Sequence, residues 1–338
     1  MVKWVEGTGF DEDVVVSTRV RLARNLKDFR FPQKMNIEES EKLTQKILNV
    51  MKDLPSNINY KFIRINNLTP LERVVSIEEH LISPGLIQKP DYSSFLIRDD
   101  ENITIMINEE DHLRIQVLLP GLNFEEGWKT SNEIDDFLES SLDYAFHQEF
   151  GYLTACPTNV GTGLRASVMV HLPSLSITGY INNLINGLNK IGLTVRGLYG
   201  EGTEAVGNLF QISNQITLGE GEDQIIRKLK NIIYQIIDKE RNVRNNLLEN
   251  RKNEIEDRVF RSLGILKYSR NITSKEAMRL LSNVRLGIEM GIINDIGFKD
   301  ITKLMIEVQP ASIQKYANKE LTQEERDIIR ANFIRERI

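Results

Sequence analysis

The chain has 338 residues, with 43 Lys and Arg against 48 Asp and Glu, a net charge of −5 and 41% hydrophobic residues. That length fits roughly two domains with a sizeable core, and the composition excludes a disordered or collagen-like chain. A single cysteine, Cys156, excludes an internal disulfide framework and a Cys-based zinc site, while the mild acidity argues against a dedicated nucleic-acid binder.

No apolar run approaches the ~18–20 residues of a membrane span. The polar, acidic start from Met1 to Asp13 does not read as a secretory signal, so a cytoplasmic protein with no membrane partner is expected. In chain order, Val14 to Leu22 alternates apolar and polar residues as a half-buried strand does. Asn36 to Met51 places Ile37, Leu43, Ile47 and Val50 on one helical stripe. Strand alternation returns over Ile103 to Leu119, interrupted by an acidic turn at Asn108 to His112. A helix is expected over Ser131 to Phe150, then strands over Arg165 to Leu172, Leu193 to Gly197 and Leu209 to Leu218. After Gly219 the period becomes helical: Ile225, Ile226, Leu229, Ile232, Ile233, Ile236 and Ile237 recur at three- and four-residue steps. Capping-box patterns at Thr273-x-x-Glu276 and Thr322-x-x-Glu325 open two further helices. The expected organisation is an α+β domain over 1–255, an antiparallel sheet flanked by helices, and an all-helical domain over 256–338.

The strand patterns place five arginines on the polar side. In Ser17-Thr18-Arg19-Val20-Arg21-Leu22, Val20 and Leu22 point one way and Arg19 and Arg21 the other. The same parity puts Arg114 opposite Leu113, Ile115 and Val117, Arg165 opposite Ala166, Val168 and Val170, and Arg196 opposite Val195. If these strands join one sheet, five guanidiniums share a face. Without a counter-charge they would repel, and phosphate oxygens match their fork geometry. The alternative is a set of solvated sheet-surface residues paired with some of the 48 acids.

The usual nucleotide signatures are absent: there is no G-x-x-x-x-G-K-[ST] loop and no protein-kinase H-R-D or D-F-G. Gly161-Thr162-Gly163-Leu164-Arg165-Ala166 imitates a dinucleotide fingerprint, but a strand follows where a helix is required. Neither the four histidines nor any H-E-x-x-H motif supplies a metal site. Carboxylates accompany the arginines at Glu109, Glu110 and Asp111, and Glu201 lies in a glycine-rich loop after Arg196. Carboxylates beside an anion site would suit a guanidinium acceptor; read alone, they also fit a solvated acidic turn and a flexible loop.

Asn108-Glu-Glu-Asp-His112, Cys156-Pro-Thr-Asn-Val-Gly-Thr-Gly-Leu-Arg165-Ala-Ser and Arg196-Gly-x-x-Gly-Glu201-x-x-Glu204-Ala together resemble the ATP:guanido phosphotransferases, the phosphagen kinase family. The resemblance implies that Arg19, Arg21, Arg114, Arg165 and Arg196 hold the ATP phosphates. The nucleotide-contacting segments would be Ser17, Thr18 and Val20 around the first pair, Ala166, Ser167, Val168 and Met169 after Arg165, and Gly197, Leu198, Tyr199 and Gly200 before Glu201. His80 is a further nucleotide candidate. Glu110 and Glu201 would orient the acceptor guanidinium and assist loss of its proton, with Glu109 and Asp111 in support and Cys156 beside it. ATP with Mg²⁺ is the implied cofactor, with no protein ligand for the metal.

The first arginine strand begins by Val14, where small-substrate members of the family carry an N-terminal helical domain of about a hundred residues that helps enclose the acceptor; helices follow residue 255 instead. In this the chain is similar to the bacterial protein arginine kinases of the McsB type. Arg326-Asp327-Ile328-Ile329-Arg330-Ala331 matches a motif that binds phosphoarginine as an allosteric ligand in those enzymes. The implied partners are protein substrates, a small activator protein, a Clp-type AAA+ unfoldase, a stress-response repressor and a second copy of the chain. The expected function is transfer of the ATP γ-phosphoryl to protein arginines, marking them for proteolysis. The alternatives are a small-molecule guanidino kinase and a non-catalytic phosphoarginine-binding adaptor.

Overall fold

The computed structural model describes residues 2–54, 59–198 and 205–338. In chain order the strands and helices are β1 (Val15–Arg24), α1 (Ile37–Met51), β2 (Tyr60–Arg64), α2 (Pro70–Glu78), β3 (Ser94–Arg98), β4 (Ile103–Ile107), β5 (Leu113–Pro120), α3 (Phe124–Glu139), β6 (Phe146–His147), β7 (Gly151–Tyr152), β8 (Leu164–His171), α4 (Pro173–Ile177), α5 (Ile181–Lys190), β9 (Leu193–Gly197), β10 (Leu209–Asn214), α6 (Glu222–Asn250), α7 (Lys252–Tyr268), α8 (Ser274–Glu289), α9 (Phe298–Glu307), α10 (Pro310–Ala317) and α11 (Gln323–Arg335). Eight strands form one antiparallel sheet in the order β2-β3-β4-β5-β1-β8-β10-β9, and β6 and β7 form a separate hairpin. Among the described residues no helix is long and apolar enough to cross a membrane.

Parity along the strands decides the two faces of the sheet. Val20, Leu22, Ile115, Val117, Ala166, Val168, Val195 and Ile212 are buried in one core, with Ile47 of α1, Leu138 of α3 and Ile233 of α6. The opposite face is divided. One part carries Phe95, Met106, Leu118, Met169 and Leu209, which join a second core with Met278, Leu281 and Met305 of the C-terminal helices. The arginines occupy the rest of that face. The helical region therefore packs on the same sheet surface that carries the polar site.

One expected helix is corrected. The helix expected over residues 131–150 is α3, which begins at Phe124 and ends at Glu139. Beyond it Leu142 and Tyr144 are buried and Tyr144 bridges Leu26, so an extended tertiary pairing replaces the helical period. The long helix α6 ends at Asn250 and α7 begins at Lys252, with Arg251 between them. The Thr322 capping box forms as expected; at Thr273 the side chain accepts from the Glu276 amide, but the reciprocal bond is not made.

The C-terminal helices are fastened to the sheet domain at an identifiable point. Glu78, at the end of α2, accepts from the amides of Ala311 (2.9 Å) and Ser312 (2.8 Å) and from Ser312 Oγ (2.8 Å), capping α10 from a different part of the chain. Orphan amides at a helix start need such an acceptor, and the helix dipole favours a carboxylate there. Glu78→Ala is expected to lower unfolding free energy by about 1–2 kcal/mol. Urea titration checks this, and an unchanged midpoint would contradict the capping role.

Candidate active site

Register fixes how the arginines meet. Arg21 of β1 lies directly opposite Arg165 of β8, and Arg19 opposite Ser167. On the other flank of β1, Arg21 faces Gln116 and Ala23 faces Arg114 of β5. Arg196 of β9 faces Gln211 of β10, one strand beyond β8. Arg21, Arg114, Arg165 and Arg196 line a cavity of about 280 Å³ together with Glu110, Cys156, Thr158, Asn159 and Gly163. Arg19 stands two residues back along β1, within the field of Arg165 and Arg114.

Like charges opposite one another across strands are unfavourable, and the guanidiniums register the cost. Burial, followed by repulsion from Arg165 and Arg114, pushes Arg19 down to about 10. Burial, then Arg19, Arg114 and Arg165, holds Arg21 well below the usual guanidinium range. Arg165 is lowered by burial and then by Arg196 and Arg114. The counter-charges are few. Arg114 pairs with Glu109 at 2.6 Å and with Glu110 at 3.2 Å, and Arg165 donates to Ser213 Oγ at 3.1 Å. The buried Nε atoms of Arg21 and Arg165 have no hydrogen-bond partner.

The three carboxylates of the acidic turn have three different positions. Asn108 takes a left-handed conformation (φ 58°), and its amide bonds the His112 carbonyl to close the turn between β4 and β5. Glu109 is buried, accepts from Ser83 Oγ at 2.7 Å and is held on Arg114. A Cβ at Gly85 would sit 2.3 Å from the Glu109 carboxylate, so a larger residue there would have to displace that carboxylate. Glu110 is the carboxylate that reaches the cavity. Asp111 points away from it, accepting from Asn25 Nδ2 at 2.6 Å and the Ala155 amide at 2.7 Å, and burial raises its pKa. Asp111 thus anchors the loop carrying Cys156 and does not itself contact the cavity.

Cys156 is partly exposed, with Sγ 3.0 Å from Thr158 Oγ1. Its loop returns into β8 over β1 through Gly163 (φ 64°), where a Cβ would fall 2.6 Å from the Ala23 carbonyl and from Arg24 Nη1. At the Arg19 end, His80 has φ 62°, and its carbonyl accepts from Gln116 Nε2. Burial, and then the charge of Arg19, pushes its imidazole down to about 3, so it is neutral at physiological pH.

Several candidates from the strand segments face elsewhere. The side chains of Val20, Ala166 and Val168 belong to the opposite core. Thr18 donates to the Gly121 carbonyl and accepts from the Asn123 amide. Ser17 and Ser167 share the arginine face, and Met169 continues it into the second core. Gly197 ends β9, and the Leu198 amide bonds Leu209. Tyr199, Gly200 and Glu201 lie outside the described residues.

The Arg326–Ala331 motif sits on α11 and contributes nothing to the cavity. Arg330 is buried: Nε donates to the Val308 carbonyl, and Nη1 to the Ile272 carbonyl and to Asp327. Arg326 donates to the Leu321 carbonyl, and Ala331 is buried. Arg330 thus spends Nε and Nη1 on internal carbonyls and on Asp327.

Sequence reasoning missed Arg24. It is buried, paired with Asp135 at 2.6 Å, bonded to the Ala23 and Thr162 carbonyls, and lies 3.5 Å from the centre of the Tyr152 ring. The signal was present: Arg24 shares the parity of Val20 and Leu22, which puts a cation on the core side of β1.

A family model described as ATP:guanido phosphotransferase, C-terminal catalytic domain, matches residues 42–243, and one described as protein-arginine kinase McsB C-terminal domain matches residues 252–338. The chain is similar to the protein-arginine kinase of Halothermothrix orenii, with 51% identity over 99% of this chain and 96% of that protein. Identity to the protein-arginine kinase of Clostridium tetani is 46% over 100% of this chain and 99% of that one, and to that of Bacillus subtilis 47% over 99% and 93%. Among solved structures, a lombricine kinase superposes with a TM-score of 0.61 at 27% identity, covering 70% of this chain and 68% of that one. The duplicated taurocyamine kinase of Schistosoma mansoni, with bound transition-state analogue components, gives 0.62 at 28% identity over 70% and 35%.

Crowded guanidiniums cost stability when nothing neutralises them, which separates stability from binding at this site. Arg21→Gln is expected to leave the nucleotide-free protein as stable as before or more stable by up to about 1 kcal/mol. The same change should remove the rise in melting temperature on adding ATP. Differential scanning fluorimetry with and without nucleotide reads both, and a clear loss of stability without nucleotide would contradict the repulsion.

Proposed function

The chain belongs to the ATP:guanido phosphotransferase family, and from that premise we propose that it transfers the γ-phosphoryl of MgATP to arginine side chains of proteins. The convergence of four guanidiniums, one carboxylate and one cysteine on a single cavity is the observation that carries the transfer chemistry. The protein acceptor rests on the relatives, which are protein-arginine kinases at 46–51% identity over the whole chain.

In this reading Arg19, Arg21, Arg114, Arg165 and Arg196 bind the triphosphate and stabilise the charge that develops on its oxygens during transfer. The orphaned Nε atoms of Arg21 and Arg165 are donors that phosphate oxygens would satisfy. Mg²⁺ enters as part of the nucleotide substrate, carried on phosphate oxygens and water. Glu110 accepts hydrogen bonds from the acceptor guanidinium and aims one nitrogen along the line of the breaking bond; Glu201 is its proposed partner. That nitrogen forms a bond to phosphorus as the bond from phosphorus to the bridging oxygen breaks. ADP leaves with the electron pair, and a carboxylate takes the guanidinium proton. Cys156 lies across the cavity, where a thiolate would add negative charge beside the acceptor. Neutral His80, next to Arg19, offers a hydrogen bond to the nucleotide without adding to the crowd of cations.

The helices from residue 252 form the proposed regulatory region. Phosphoarginine binding at Arg326, Asp327, Arg330 and Ala331 would act through Arg326 and the Nη2 of Arg330, since Nε and Nη1 of Arg330 are already engaged. The proposed setting is cytoplasmic, as a homodimer, with a small activator protein, a Clp-type unfoldase that removes the marked proteins, and a stress-response repressor among its targets.

Glu110→Ala is expected to reduce phosphoarginine formation at least about a hundredfold while leaving ATP binding and the fold intact. Acid-labile phosphate on an unfolded client, measured by mass spectrometry with free arginine as competitor, checks both chemistry and acceptor. Undiminished turnover would remove Glu110 from the mechanism. Preferential phosphorylation of the free amino acid would make this a small-molecule kinase.

A further inference from the structure

Behind the arginine-lined cavity lies a second depression, of about 280 Å³, and the two share a wall. Thr158 and Gly163 of the Cys156 loop line the cavity, while Gly161 and Thr162 of the same loop line the groove. Thr217 fixes the wall, donating from Oγ1 to the Thr158 and Val160 carbonyls while its own carbonyl accepts from the Thr162 amide. The groove's other rim is the β6–β7 hairpin.

Its lining is unusual for a solvated surface. Phe146, Phe150 and Leu218 converge on it while remaining 56%, 45% and 50% exposed. Single exposed apolar residues are ordinary; three gathered in one concavity mark a contact surface. The ring of Phe146 stands edge-on to Tyr152 at 5.2 Å, and Tyr152 lies over the guanidinium of Arg24. Tyr152 thus holds Phe146 in place, and Phe150 is stacked on the His147 ring at 4.8 Å, which fixes it while leaving it 45% exposed. All the charged residues lining the groove are carboxylates: Glu149, Glu220 and Glu222. Glu220 pairs with Lys228 at 3.0 Å, and Glu222 sits in the first turn of α6; Glu149 makes no ion pair among the described residues. Among the described residues β6 pairs with β7 alone, while the stretch just before it pairs with residues 25–27.

We propose that this groove holds the segment of a substrate protein that lies beside its target arginine: an extended stretch with an apolar residue and no acidic ones. The inference rests on the protein-acceptor reading above and gives it a sequence preference. Apolar side chains enter between Phe146, Phe150 and Leu218, the acidic rim favours basic or neutral neighbours, and the shared wall hands the adjacent arginine to the cavity. An extended chain advances ~3.3 Å per residue, so a few residues suffice to pass over one loop.

The test uses the full chain and unstructured, fluorescein-labelled peptides with one arginine, a nearby Phe-Leu pair and either Gln/Lys or Glu neighbours. Fluorescence anisotropy gives Kd, and phosphoarginine formation gives KM and kcat, with N-acetylarginine amide as an acceptor too short to reach the groove. The apolar, non-acidic peptide is expected to have a KM about tenfold below the others. The Phe146→Ser/Phe150→Ser double variant and Glu149→Lys should erase that advantage, with kcat and turnover of the short acceptor unchanged. If phosphoarginine forms but both variants keep the wild-type peptide KM and Kd, the groove proposal is overturned and the protein-acceptor reading survives. If the variants instead change only the sedimentation of the protein, a second copy occupies the groove, which also overturns it. Variant-sensitive peptide binding without phosphoryl transfer would uphold the groove and defeat the acceptor assignment.

Discussion

Mutual repulsion among five guanidiniums is the constraint around which this molecule is arranged. Burial first, and then the neighbouring charges of Arg19, Arg114, Arg165 and Arg196, disfavour protonation of Arg19, Arg21 and Arg165. Only Arg114 is balanced by carboxylates among the described residues. A fold tolerates such a cluster when the rest of the structure over-determines it and when a ligand removes the cost. The over-determination is visible in the eight-stranded sheet, whose opposite face is a largely apolar core with the buried Arg24–Asp135 pair at one end of β1. Pulling any arginine out of place would mean slipping a strand register and exposing that core.

The surrounding residues read as supports for that cluster. Glu109 holds Arg114, and Ser83 and Gly85 make room for Glu109. Asp111 and Asn25 tie the Cys156 loop to β1, and Arg24 with Asp135 holds the end of that loop at Thr162. The three consecutive acids thus divide the work: one fixes a cation, one faces the cavity and one braces a loop. At the far end of the sheet face, the C-terminal helices complete the apolar floor. Glu78 joins them by hydrogen bonds to the end of α2, two residues before His80, which links the helical region to the Arg19 end of the cavity face.

The arginine face was legible because strand parity is a local property. Val20 and Leu22 reveal where Arg19 and Arg21 point without knowledge of any partner strand. What brings the strands together is non-local, and only the family motifs anticipated it. Loops and turns were read poorly for the same reason. Glu-Glu-Asp at 109–111 looks like one acidic patch, yet burial of Asp111 depends on Asn25 and Ala155, distant in sequence. The helix expected over 131–150 overran because the pairing of Tyr144 with Leu26 cannot be seen from apolar spacing. The spacing of Arg326 and Arg330 on α11 likewise gives no sign that carbonyls of Ile272 and Val308 claim Arg330.

What neutralises the cluster decides what this cavity binds. Isothermal titration of AMP, ADP and ATP into the protein in magnesium-containing buffer measures it directly, since the nucleotides differ only in the number of phosphates offered to the guanidiniums. Affinity should rise by at least about tenfold for each added phosphate, with a steep loss on raising ionic strength. Equal affinity for all three nucleotides, insensitive to salt, would mean that the guanidiniums do not bind the phosphate chain, and the assignment of this cavity would be wrong.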